Sequence, residues 1–178
     1  MLAKDVIEEA RKNVPRYLDE GLLKKDNSRD PLILGTFKRN SEESLKVADN
    51  LFKNNLSSLW TIVCSYYLMY YVANAVLYSL GYKVAGKISH KVTNDALIVF
   101  VKNKLKEQLL EEYQEAKEEA ESLAGIRSEE LLENFNRELG KREKFQYQTT
   151  EIVKRGKAET SLTRAKLFTL EMKKLLID

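Results

Sequence analysis

The chain has 178 residues, 43% of them hydrophobic and 32% charged, with only seven Gly, two Pro and one Cys. That length suits one domain with a short appendage, and the scarcity of Gly and Pro excludes a turn-rich all-β chain and a disordered linker. Thirty Lys+Arg against 27 Asp+Glu leave a net charge of +3, which excludes a strongly basic nucleic-acid protein but not a local basic patch.

Leu2, Val6, Ile7 and Ala10 fall at helical spacing and predict an N-terminal helix. Pro15 is expected to open a second short turn carrying Tyr17, Leu18, Leu22 and Leu23. Residues 24–35 read as a loop, with turn formers around Pro31 and Gly35. Ser41 is the expected N-cap of the next helix, followed by Glu42 and Glu43 at the positive end of the dipole.

From Leu56 to Tyr82 no residue is charged, so the stretch must be tested as a membrane span. Ser57, Ser58, Thr61, Ser65, Asn74 and Ser79 make it too polar, and its tyrosines sit mid-segment rather than at headgroup depth. It reads as the buried helix of a water-soluble protein, stopping at Gly81. The opening residues also lack the apolar stretch of a signal peptide. A cytoplasmic protein without a membrane anchor is expected.

A basic loop from Tyr82 to Lys87 leads to a helix capped by Ser89 and carrying Val92, Ala96, Val99 and Phe100. Leu105, Leu109, Tyr113, Ala116, Ala120 and Leu123 predict a long amphipathic helix ending near Gly125. Further helices are expected from Ser128 to about Gly140 and from about Thr160 onward. No period-2 strand stands out. The fold class is all-α: an antiparallel up-and-down bundle of about five core helices in residues 36–178, with an extra N-terminal helical segment in 1–35.

Chemistry concentrates at Lys83, Lys87, Ser89, His90 and Lys91. A flexible loop there brings ammonium groups, a hydroxyl and an imidazole to a helix start, where backbone N–H groups and the dipole favour phosphate. His90, the sole histidine, has an ordinary pKa near neutrality and could move a proton to or from an RNA oxygen. The plainer alternative is a helix-start histidine beside a solvated loop. Trp60, Tyr66, Tyr67, Tyr70 and Tyr71 fit a core or dimer interface better than a base-stacking platform. Arg142 and Tyr147 form a weaker basic-aromatic cluster. The Lys/Glu runs from Lys102 to Glu121 read as a solvated face. One Cys and one His exclude a disulfide and the common zinc sets; neither a metal nor a cofactor is expected.

Three blocks of this sequence resemble the HEPN family. Ser65-Tyr66-Tyr67-Leu68-Met69-Tyr70-Tyr71-Val72-Ala73-Asn74-Ala75-Val76-Leu77 is similar to the family's Ser-Tyr-Tyr-Ala-Met-Phe helix. Gly81 with Ser89-His90 resembles its Gly, short loop and Thr/Ser-His, and Arg142 to Tyr147 resembles its Arg-x-x-Ala-Asp-Tyr. The resemblance implies an all-α, usually dimeric module, often acting beside a small nucleotidyltransferase in a two-gene, toxin-antitoxin-like system. Some members are metal-independent RNases that use an Arg separated from the His by four to six residues. Here Lys83 holds the outer position, with six residues intervening, and lysine lacks the planar fork of arginine. Three functions therefore stand: a binder of nucleotide or RNA phosphate, an endoribonuclease using His90 with Lys83, and a purely structural or regulatory dimer.

Overall fold

The computed structural model describes residues 2–86, 88–124 and 154–176. Among them the chain is almost wholly helical: α1 (Lys4–Asp19), α2 (Pro31–Lys53), α3 (Ser58–Ser79), α4 (Ser89–Phe100), α5 (Glu107–Ala124) and α6 (Arg155–Lys173). Two three-residue strands, β1 (Leu23–Lys25) and β2 (Tyr82–Val84), pair antiparallel, and a single turn of 3₁₀ helix at Lys102–Lys104 precedes α5. The helix expected from Ser128 to Gly140 lies outside the described residues.

α3 is the centre. It is apolar on nearly every side, so it can be stable only where other helices cover it, and α2, α4, α5 and α6 all pack on it. By length and composition α3 could cross a membrane, yet 67% of its most apolar window is buried inside the protein. Ile62, Met69, Ala73, Val76 and Leu77 are wholly enclosed. Ser57 caps its start by accepting from the Trp60 N–H at 3.2 Å.

Side-chain pairings fix the direction of each helix. Ser41 donates to the Leu68 carbonyl and Phe37 meets Tyr78, so α2 runs antiparallel to α3. His90 meets Tyr66 and Tyr70 while Thr93 meets Asn74, so α4 runs in the same sense as α3. Lys91 pairs with Glu9, and Asp95 with Asn13 and Tyr17, which sets α1 alongside α4 in that same sense. Two neighbouring parallel helices need a return connection, and β2 with the residues after it supplies one. The bundle is therefore not a simple up-and-down alternation.

Several local expectations are corrected. Pro15 does not start a new turn but lies inside α1, where Ala10, Val14 and Tyr17 bury on either side of it and hold the helix through the missing N–H. Residues 31–35, expected as loop, are helix. Asp30 caps α2, its carboxylate accepting from the Leu32 N–H at 2.8 Å, and Pro31 takes the first helical position, where it loses nothing. Ser41 is consequently no cap; it is buried in mid-helix. The boundary expected at residue 35 falls inside α2, and α1 shares one hydrophobic cluster with α3, α4, α5 and α6. α6 starts at Arg155, ahead of Thr160.

The β1–β2 ribbon sits where α1 and α3 both end. Leu23 faces Val84, Lys24 faces Lys83 and Lys25 faces Tyr82. Gly81 makes the turn into β2 at φ +86°, and a Cβ there would meet Asn27 Oδ1 at 2.6 Å, so both conformation and space call for glycine.

Candidate functional site

His90 is the second residue of α4, one position after Ser89. Ile88, not Ser89, is the N-cap, without a side-chain bond; the Ser89 carbonyl instead accepts from the Thr93 hydroxyl at 2.7 Å. Because α4 lies along α3, the imidazole does not project past the end of the aromatic helix. It rests against its middle. The ring centroid is 4.4 Å from that of Tyr70, 5.5 Å from Tyr66 and 5.9 Å from Tyr67. Nδ1 is 2.6 Å from the Tyr66 hydroxyl.

That environment determines the protonation state. Burial first, and the positive charge of Lys117 second, pull the His90 pKa down to about 4, so the ring is neutral at physiological pH. Burial likewise pushes the Tyr66 phenol far above its ordinary value, with the neighbouring phenol of Tyr113 adding to the effect, so Tyr66 keeps its proton. A protonated phenol at this separation from a ring nitrogen is best matched by an O–H donor and a lone pair; we assign Tyr66 as donor to Nδ1. Nε2 then carries the imidazole's one proton.

The tyrosines divide by burial. Tyr66 is 1% exposed and closes the back of the cluster, its ring 5.9 Å from that of Tyr113 on α5. Tyr67, Tyr70 and Tyr71 are partly exposed and touch one another edge to face or tilted. Trp60, grouped with them in the sequence, stands at the start of α3 and is 54% exposed, so it is no part of this chain's core.

Around the imidazole the lysines are arranged differently from the sequence order. Lys83 lies on β2 opposite Lys24, and its charge helps hold the Asp26 carboxyl below its ordinary value, after the hydrogen bonds from Ser28. Lys91 reaches across to α1, with Nζ 3.3 Å from Glu9 Oε1, both side chains well exposed. Lys87, Arg142 and Tyr147 lie outside the described residues.

Two residues that the sequence placed on a solvated face belong here instead. Tyr113, Lys117 and Glu121 are four apart on α5, hence on one face. Tyr113 is fully buried against Tyr66 and Phe168. The same stripe carries Lys117 to within electrostatic reach of His90, and Glu121 to within reach of Tyr66. The signal was available: Lys117 and Glu121 follow Tyr113, a residue of the apolar stripe, at steps of four.

A depression of about 510 Å³ lies between α5 and α6 and is lined by Glu107, Gln108, Glu111, Glu112, Glu115 and Arg164. Its surplus of carboxylates has the wrong sign for a phosphate. No cluster of three or more His, Cys, Asp or Glu among the described residues is arranged to hold a metal ion. No protein-family model matches the chain, and no curated protein matches it.

Proposed function

We propose that this chain is a HEPN-like helical module that binds a nucleotide or an RNA phosphate at His90, working as a homodimer beside a nucleotidyltransferase partner. The observation that carries the reading is the imidazole at the first turn of α4, anchored by Tyr66 at 2.6 Å and flanked by the partly exposed rings of Tyr67 and Tyr70. Partly exposed aromatic rings of this kind offer stacking to a base. The N–H on Nε2 offers a donor to a phosphate oxygen. The half-open ring cluster in contact with an imidazole favours ligand binding over a purely structural dimer.

The same assignment weighs against the endoribonuclease reading. A general base needs a free lone pair, and in this tautomer the Nδ1 lone pair is already engaged by Tyr66. Lys83, the cation that reading requires, lies on β2, paired in the ribbon with Lys24. Calorimetric titration of AMP, ATP and short RNA against the wild type, His90→Ala and Tyr70→Ala tests the proposal. Binding by the wild type, weakened in both variants, is the expected result. Binding that ignores both substitutions overturns it, and His90-dependent cleavage of RNA in metal-free buffer would reinstate the nuclease.

A further inference from the structure

We propose that Lys117 is the cation of this site: a phosphate oxyanion seats against its Nζ and the His90 N–H, taking the place that Glu121 holds in the unliganded protein. The inference rests on the binding reading above and names the residue that reading leaves unassigned.

Geometry supplies the first argument. Lys117 follows Tyr113 by one turn on α5; the Tyr113 ring lies tilted against that of Tyr66 at 5.9 Å, and Tyr66 holds His90. α5, which carries Lys117, and α4, which carries His90, thus meet through the Tyr66 phenol. Lys117 also lies close enough for its charge to disfavour a proton on His90. A neutral N–H beside an ammonium is a donor pair that attracts an anion, whereas two cations would repel each other.

The second argument comes from how Lys117 is paired. Its side chain is only 16% exposed, uncommon for lysine, whose ammonium loses solvation when covered. Such a charge calls for a close, hydrogen-bonded partner. Glu121 provides a weak one: Nζ to Oε1 is 3.9 Å, beyond hydrogen-bond distance. Glu121 is itself partly covered, and its own carboxyl is pushed upward, by burial first and by Glu118 last, with Lys117 opposing. A loosely held ammonium with unspent donors is what an incoming oxyanion needs.

The third argument is by comparison with the neighbouring lysines. Lys91 is largely solvated and already paired with Glu9, and an exposed pair of that kind contributes little energy to binding. Lys83 belongs to the ribbon. Lys117 alone combines cover with proximity to the imidazole among the described lysines.

The chemical class is a phosphate ester, presented by a free nucleotide or by an RNA strand, and the experiment separates those sources. Wild type, Lys117→Met, Lys117→Arg, Glu121→Gln and Lys83→Met are titrated with AMP, adenosine and a short 5′-phosphorylated RNA. Lys117→Met should weaken AMP about tenfold and leave adenosine unchanged, since one charge-assisted hydrogen bond is removed. Lys117→Arg should retain binding, Lys83→Met should match wild type, and Glu121→Gln should tighten AMP about threefold. Tighter binding of the RNA than of AMP assigns the strand as ligand; the reverse assigns the nucleotide.

The His90 titration, followed by NMR, is an independent readout. It should move upward in Lys117→Met, whether or not any ligand is known. If Lys117→Met binds AMP as wild type does while His90→Ala does not, the inference fails and the binding reading survives. If wild type binds none of these ligands, the reading itself fails. An unmoved His90 titration in a folded Lys117→Met protein overturns the placement of Lys117.

Discussion

At the scale of the residue, the protein keeps one imidazole and spends it in an unusual setting. A histidine free in solution titrates near 6.5; this one is held at about 4 by cover and by Lys117. The consequence for stability follows from proton linkage. Between those two values the unfolded chain binds a proton that the folded chain refuses, so acidification from about pH 6.5 through about pH 4 destabilises the fold. Urea midpoints measured across that range should fall with pH, and fall less steeply in His90→Gln, where no imidazole remains. Equal slopes in the two proteins would mean that His90 is not buried in the folded state. The residue type was legible in the sequence, because a sole histidine at a helix start stands out. Its surroundings were not, because they depend on α4 running along α3, and the direction of a helix leaves no mark on its own periodicity. Lys117 was lost for the same reason. A lysine in a Lys/Glu-rich helix reads as solvated until the partner helix is known.

At the scale of the element, the helices that sequence located best are those with a clean apolar stripe, and the errors fall where capping competes with punctuation. Pro31 and Gly35 suggested a loop, but Asp30-Pro31 is a cap and a first-turn residue, and Gly35 has open space beside it in α2. The short ribbon escaped notice because three residues are too few to display a period of two. Its turn is nevertheless demanding. Gly81→Ala would force a Cβ into a left-handed backbone and against Asn27, and should cost about 1–2 kcal/mol by denaturant titration. α1 is fastened to α4 by a buried carboxylate: Asp95 accepts from the Tyr17 hydroxyl and the Asn13 amide, each at 2.9 Å. Asp95→Ala leaves the enclosed Tyr17 hydroxyl without an acceptor and should lower stability by about 2–3 kcal/mol. Hydrogen exchange in α1 should accelerate more than in α3. Uniform acceleration instead would show that α1 does not open separately from the bundle.

At the scale of the whole molecule, the arrangement is a central apolar rod wrapped by partners, with the aromatic face of that rod only partly covered. α1, α3, α4 and α6 share one direction, since Asn55 meets Arg155 and Asp49 meets Lys166 along α2 and α6. α5 opposes them, with Glu115 on Arg164 and Tyr113 on Phe168. Trp60, at 54% exposure, and Leu56, at 63%, lie four residues apart in sequence near the start of α3, and Leu170 is 58% exposed on α6. Single exposed apolar residues need no explanation, but the largest side chain in the chain, left in water, is a natural anchor for the proposed homodimer. Trp60 is the only tryptophan, so its emission reports on this corner alone. In a dimer that covers it, emission should shift to shorter wavelength as the protein is concentrated, together with a rise in scattering mass above 20.6 kDa. Trp60→Ser should abolish both changes while leaving AMP affinity as it was, because the rings that meet His90 are those of Tyr66, Tyr67 and Tyr70. A mass that stays at one chain while Trp60 emission remains that of a solvated indole would remove the dimer and leave the ligand site to be judged as the property of a single chain.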